Sequence, residues 1–260
     1  VMKVSRKKNE PTKLSIVISI HNEEGQLAEC LSKLNFGNEL VVVLDKCTDQ
    51  SKKIAKTFTN RIIEGTWDIE GQRRNAAIKA CKGKWIFEID ADERVPALLA
   101  QEIKETVNST KYDGHTIPVD NYVGNHLVRY GWGAYFGRSQ YPGLFKRGSK
   151  KWGNQRVHPQ LTFKGLKGHT LTNRIDHYVD RDISDMIKRL DSYTTARAID
   201  IRKNNDGGTF GHNIKRIFSR SWKCYVLRKG YKEGKYGFLI ALFAGLYPLL
   251  SFLKAKLEKK

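Results

Sequence analysis

Apolar positions in the first hundred residues come in short alternating blocks. Leu14 to Ile20 is dense in β-branched residues and reads as a strand. Leu27, Ala28, Leu31 and Leu34 then recur at helical spacing. Glu39 to Leu44 reads as a second strand, after which Thr48-Asp49 offers an N-cap for a short helix carrying Ile54, Ala55 and Phe58. Arg61 to Ile63 reads as a third, shorter strand. Ile69 to Cys81 has a helical pattern with Ala76, Ala77 and Ala80 for close packing, and Trp85 to Ile89 is a buried strand interrupted by Glu88. A helix-like run follows over 97–107. This rhythm predicts an α/β fold around a mostly parallel sheet flanked by helices, with right-handed crossovers. Residues 112–180, rich in Gly, Tyr and Trp, predict irregular loops and short strands, with Trp132, Tyr135, Phe136 and Trp152 able to stack on a ligand or to fill a core. Residues 183–203 predict one helix with Ile183, Met186, Ile187 and Leu190 inward.

In parallel α/β sheets ligands bind beyond the carboxyl ends of the strands. Three of those ends are polar here: His21-Asn22-Glu23, Asp45, and Asp90-Ala91-Asp92. Unpaired carboxylates beside a core are costly. Asp90 and Asp92, two apart on an extended chain, face the same side and could share a hard cation, Mg²⁺ or Mn²⁺, whose other ligands would be phosphate oxygens. The bland alternative is a strand end followed by an acidic helix cap. Convergence of three polar strand ends favours a metal–nucleotide site. Neither G-x-x-x-x-G-K-[ST] nor G-x-G-x-x-G follows the first strand. Phosphates would therefore be neutralised by the metal and by basic side chains, for which Arg73 and Arg74 are candidates.

Charge extends the picture. The 260 residues carry a formal net charge of +20, and 201–260 holds 14 Lys and Arg against 3 Asp and Glu. Such a field draws nucleic acid, anionic lipid or phosphorylated substrates. Tyr236 to Leu253 is free of charge over 18 residues, with Lys229, Lys232 and Lys235 before it and Lys254 and Lys256 after it. Basic flanks on both sides and Pro248 favour an interfacial or re-entrant helix on an anionic membrane surface, with a core helix as the alternative. Four cysteines without C-x-x-C spacing suggest a reducing compartment and no structural zinc, and no apolar core follows the basic start Val1 to Lys8, so no signal peptide is expected. The expected organisation is a basic tail over 1–12, a nucleotide-binding half over 13–110, a second half over 111–200, and a basic, partly apolar helical tail over 201–260.

Four stretches in order resemble family 2 glycosyltransferases: Ser15 to Glu24, Val41 to Asp49, Gly71 to Ala77, and Asp90 to Glu93. The resemblance implies a GT-A fold, a nucleotide-diphosphate sugar donor and a divalent metal. Gly131-Trp132-Gly133, Leu144 to Gly148, Arg156-Val157-His158 and Ile175 to Tyr178 are similar, more loosely, to bacterial lipopolysaccharide-core glucosyltransferases of that family. By resemblance, His21, Asn22, Glu23 and Asp45 would contact the nucleoside, Asp90 the ribose or the metal, and Asp92 the metal. A downstream histidine, His177 before His158, would complete the metal site. The implied chemistry is inverting, in-line transfer of a sugar, with UDP-glucose the expected donor, to a lipid-linked or phosphorylated saccharide of the cell envelope. A general base must accept the acceptor's proton. Asp120, His158 and Asp182 are conceivable, although Asp182 also reads as a helix N-terminus and Pro159-Gln160 stands where many relatives place an acid. The expected location is the cytoplasmic face of the inner membrane, and no nucleic-acid partner is expected, since acidic strand ends repel phosphate without a metal. The competing readings are a nucleotidyltransferase, disfavoured by the acidic His21-Asn22-Glu23-Glu24 loop, and a non-catalytic nucleic-acid- or anion-binding protein.

Overall fold

The computed structural model describes residues 13–132, 138–155 and 160–258. His158, Tyr135, Phe136 and the 1–12 tail lie outside the described residues. Four strands open the chain: β1 (Leu14–Ile20), β2 (Glu39–Asp45), β3 (Ile62–Gly65) and β4 (Trp85–Ile89). They pair parallel in the order β3-β2-β1-β4, joined by α1 (Glu24–Ser32), α2 (Ser51–Phe58) and α3 (Glu70–Ala80). Strand alternation divides their side chains between two cores. Ile16, Ile18, Ile20, Val42, Leu44, Phe87 and Ile89 pack with Leu27 and Leu31 of α1. Val17, Val41, Val43 and Ile86 meet Ala77 and Ile78 of α3. Both faces are covered, which is why these strands read as unbroken apolar runs.

Residues 112–180 are more regular than their composition predicts. After β5 (Glu93–Arg94) and α4 (Ala97–Ser109) come β6 (Gly114–Val123), β7 (His126–Val128), β8 (Gln140–Lys146), β9 (Lys150–Trp152), β10 (Leu161–Phe163), β11 (Lys167–Thr170) and β12 (Ile175–Asp180). β8 pairs antiparallel with β4 and with β6, so one sheet runs across the expected boundary near residue 110. β6 changes partner midway: Gly114 to Pro118 lie along β8, and Val119 to Val123 along β12. Its periodicity is hidden because His115, Asp120 and Asn121 are polar yet buried. β9 and β10 form a separate ribbon against α3. At that junction a Cβ on Gly71 would lie 1.9 Å from the Gly153 carbonyl oxygen, so only glycine permits the approach.

The C-terminal elements are α5 (Ile183–Asn204), α6 (Phe210–Trp222), a π-helical turn (Lys223–Leu227), a 3₁₀ turn (Gly230–Glu233) and α7 (Gly234–Leu257). Asp182 caps α5, its carboxylate accepting the Asp185 N–H at 2.8 Å. Met186 and Leu190 of α5 are buried as expected, but Ile183 and Ile187 face outward. α7 is long and apolar enough to cross a membrane by composition, yet 56% of its apolar window is buried inside the protein. Ile240, Ala241, Ala244 and Tyr247 form a core with Met186, Leu190 and Trp132, and Pro248 lies within the helix. Much of the segment thus takes the place of a core helix.

Candidate active site

The loops after β1 and β2 are knitted together at the carboxyl end of the sheet. Asn22, held at φ +55°, accepts the Thr48 N–H on Oδ1 at 2.8 Å. Ser51 Oγ accepts the Glu23 N–H at 2.9 Å, and His21 Nδ1 lies 2.7 Å from the Asp45 carbonyl oxygen. Glu23 faces the acids: burial raises its pKa, and the charges of Asp92 and Asp90 add to that. Asp45 receives the Trp67 N–H at 3.0 Å and Arg73 Nη1 at 3.3 Å. Both expected phosphate cations are thus paired with acids, because Arg74 reaches Glu70 (2.7 Å), Glu88 (3.0 Å) and Asp90 (2.9 Å).

Asp90 and Asp92 do not share one side of an extended strand. The chain turns after Ile89, with the Glu93 N–H donating to the Asp90 carbonyl at 3.1 Å. Asp90 turns to Arg74 and to Arg138 Nη2 at 3.1 Å. Burial works against its ionised form, but Arg74 and then Arg138 hold its pKa well below the carboxylate range. Arg138 also pairs with the fully buried Glu93 at 2.5 Å. Asp92 turns instead to His177, whose Nε2 is 3.2 Å from Asp92 Oδ2.

Asn121 decides the state of that histidine. Its Nδ2 donates to the Arg138 carbonyl at 2.9 Å, so its Oδ1 must be the atom that accepts from His177 Nδ1 at 2.8 Å. Nδ1 therefore carries the hydrogen, and Nε2 of the neutral ring presents a lone pair to a carboxylate. Two acceptors at 3.2 Å need a proton or a cation to join them. Burial lowers the His177 pKa, but the Asp92 charge and hydrogen bond outweigh it and the pKa is raised. Asp92 Oδ1 is shielded from solvent and has no hydrogen-bond partner among the described residues. Asp92 and His177 thus fit one hard cation, with Asn121 orienting the ring. No three of His, Cys, Asp and Glu converge as a cage among the described residues. The rest of the shell would fall to phosphate and water.

Asp120 stands elsewhere. It registers with Asp176, while Asn121 registers with His177, so Asp120 lies on the opposite face of its strand. Its Oδ1 accepts from Arg174 Nε at 2.6 Å and its Oδ2 from Arg129 Nη2 at 2.9 Å. Several site residues escaped sequence reasoning. Glu88 accepts from the fully buried Lys150 at 2.6 Å and from the Trp152 indole at 3.1 Å, tying β9 to the strand that carries Asp90. Asp180 ends β12 against Arg189 at 2.6 Å, and burial lifts its pKa to about 6. Tyr193 of α5 feels the charges of Glu70, Asp92 and Asp90, although burial is what chiefly raises its pKa. A Glu inside an apolar strand was the one visible signal among these.

The profile described as Glycosyl transferase family 2 matches residues 15–167. The chain belongs to that family. It is a glycosyltransferase with the GT-A fold. It is 24% identical over 259 residues to the lipopolysaccharide core biosynthesis glycosyltransferase LpsC of Rhizobium meliloti (strain 1021), covering 93% of this chain and 91% of that protein. The poly(ribitol-phosphate) beta-glucosyltransferase of Bacillus spizizenii is 34% identical over 96 residues, 32% of this chain and 15% of the relative. The crystal structure of S. aureus TarS 1–349 in complex with UDP superposes with a TM-score of 0.50 at 14% identity, covering 85% of this chain and 75% of that one. The GT-A fold puts Asp45, Asp90 and Asp92 at the carboxyl edge of its first four strands.

Proposed function

We propose that this family 2 enzyme transfers a sugar, glucose from UDP-glucose, to a saccharide of the cell envelope such as the lipopolysaccharide core, with a divalent cation and inversion at the anomeric carbon. The observation that carries the reading is the Asp92–His177 pair, whose Asp92 Oδ1 has no hydrogen-bond partner among the described residues, at the same sheet edge as Asp45 and Asp90. The names of LpsC and of the Bacillus glucosyltransferase support the acceptor class and the sugar.

Asp45, at the end of β2, would bind the nucleoside, with Asn22 and Glu23 shaping the same edge. Asp92 and His177 would hold Mg²⁺ or Mn²⁺, which when bound supplies Lewis-acid stabilisation of the leaving diphosphate. Asp90 would orient Arg74 and Arg138 toward the phosphates and leaves the metal to Asp92. Asp120 is a poor general base, since two guanidiniums hold both of its oxygens and it faces away from His177. His158, outside the described residues, would keep the site role expected of it. The enzyme would work peripherally at the cytoplasmic face of the membrane, where a lipid-linked acceptor resides.

Calorimetry with UDP tests this. Binding is expected with Mn²⁺, lost in EDTA, and lost in Asp92→Ala with its thermal unfolding unchanged. Equal UDP affinity in EDTA, or in Asp92→Ala with Mn²⁺, would overturn the metal assignment.

A further inference from the structure

Soluble amphipathic helices turn their apolar stripe inward. α6 does the reverse. Its one fully buried residue is the polar Asn213, Ile214 and Ile217 are half-buried, and Ser221 Oγ donates to the Ala241 carbonyl at 3.0 Å where α6 meets Gly245 of α7. Its aromatic stripe, Phe210, Phe218 and Trp222, points out, with Phe218 72% and Trp222 62% exposed. Phe238 of α7, 56% exposed, lines the same groove with Phe218 and Trp222, and Leu227 of the π-helical turn is 66% exposed. Together these elements line an open apolar groove of about 1060 Å³.

The rim of this patch is basic. Residues 210–235 contain eight Lys and Arg and a single acid, Glu233, which is engaged by the backbone N–H groups of Arg129 and Tyr130 at 2.9 Å each. Beside the groove, Arg220, Lys223 and Arg228 line a cavity of about 190 Å³ that has no acid in its lining. Aromatic side chains inside a cationic rim match the interface of an anionic bilayer, where the rings settle at headgroup depth and the cations meet phosphate. A second copy on this face would bring two cationic rims together. The segment after α6 also braces the chain just after β7, since the Gly131 N–H donates to the Arg228 carbonyl at 2.9 Å and Lys232 lies 5.1 Å from the Tyr130 ring centroid.

We infer that the protein docks on an anionic phospholipid surface through the outer face of α6 and the turn after it, while α7 stays in the protein core. This face rests on the membrane-surface reading proposed above. It is read by vesicle binding without nucleotide, so it and the UDP–metal site can fail separately.

The experiment is co-sedimentation of the full chain with vesicles of phosphatidylcholine, alone or mixed with phosphatidylglycerol. Binding is expected only to the mixed vesicles and should weaken with salt. Phe218→Ser with Trp222→Ser, and separately Arg220→Glu with Lys223→Glu, should each lower affinity about tenfold. Leu98→Ser, an exposed leucine on α4, should bind as wild type. Brominated acyl chains should quench Trp222 emission, and Trp222→Phe should remove that quenching. Equal binding by the aromatic double variant, no binding to the mixed vesicles at low salt, or a solution dimer that this variant converts to monomer would each overturn the proposal. Circular dichroism of every variant confirms that it is folded.

Discussion

At the scale of single residues, the site works by competition for a few charged partners. Asn121 fixes which nitrogen of His177 is free, so Asn121→Leu should cost about 10- to 100-fold in Mn²⁺ affinity with little change in unfolding temperature. Calorimetric titration of Mn²⁺ in the presence of UDP checks this. Glu88 is an ion-pair hub beneath the site. Burial lowers the Lys150 pKa, while for Glu88 the charges of Lys150 and Arg74 overcome burial and lower its own. Glu88→Gln leaves Lys150 buried without its counter-charge and should destabilise by about 3–5 kcal/mol in urea unfolding. Adding Lys150→Met should recover much of the loss, because removing both partners also removes the stranded charge. Asp180 carries a pH signature. Burial raises its pKa from the ordinary 3.8 to about 6, so the folded state holds the proton more tightly than the unfolded state. The stability this contributes is complete below pH 3.8 and is lost as pH rises through about 6. Asp180→Asn should lack that loss, so the difference in melting temperature between variant and wild type should change across this window and flatten above it.

At the scale of elements, close backbone approach decides which pieces can dock. α3 carries Arg73 and Arg74 and lies against β9, with the Asn75 side chain bonding both the N–H and the carbonyl of Trp152 at 2.9 and 2.8 Å. Gly71→Ala would push a methyl group into the Gly153 carbonyl and should cost about 1–3 kcal/mol, measurable by chemical denaturation, while loosening Arg74 from Glu88. α7 obeys the same rule. A Cβ on Gly237 would lie 1.8 Å from the Gly230 carbonyl oxygen, so the helix seats tightly on the preceding turn. Deleting 234–260 removes core residues Ile240, Ala244 and Tyr247. It should leave an aggregating protein and not a soluble, membrane-released enzyme, as size-exclusion chromatography would show.

At the scale of the whole molecule, one sheet joins the two halves expected from the sequence. β4 has β1 on one side and β8 on the other, with Ile86 opposite Phe145 and Phe87 opposite Leu144. A fragment ending at residue 110 would expose that edge and lack His177 and Arg138. It should be insoluble, or should fail to bind UDP with Mn²⁺ when refolded. Soluble expression with full UDP affinity would show that the first half is an independent domain.

The first four strands and their crossover helices were legible because both faces of the sheet are buried, which writes each strand as a short apolar block. The acids at the strand ends were legible because a carboxylate directly after such a block stands out. Local spacing also located the Asp182 cap and the helix after it. Other features depended on contacts between distant residues. Asp90 goes to Arg138 and Asp92 to His177, across 48 and 85 positions, because strand order and the turn after Ile89 bring them together. β6 was hidden because its buried polar residues are satisfied by partners outside the strand, such as Arg129 and Arg174 for Asp120 and His177 for Asn121. The apolar run 236–253 has a composition equally suited to lipid and to a protein core. Only packing against α5 and α6 turns much of its surface inward, leaving the outward aromatic stripe on α6. Sequence by itself determined the secondary-structure rhythm, the family and the acidic strand ends, since these follow from local pattern. Tertiary structure decided which charge meets which, because in a folded chain that depends on proximity in space, to which sequence distance is no guide.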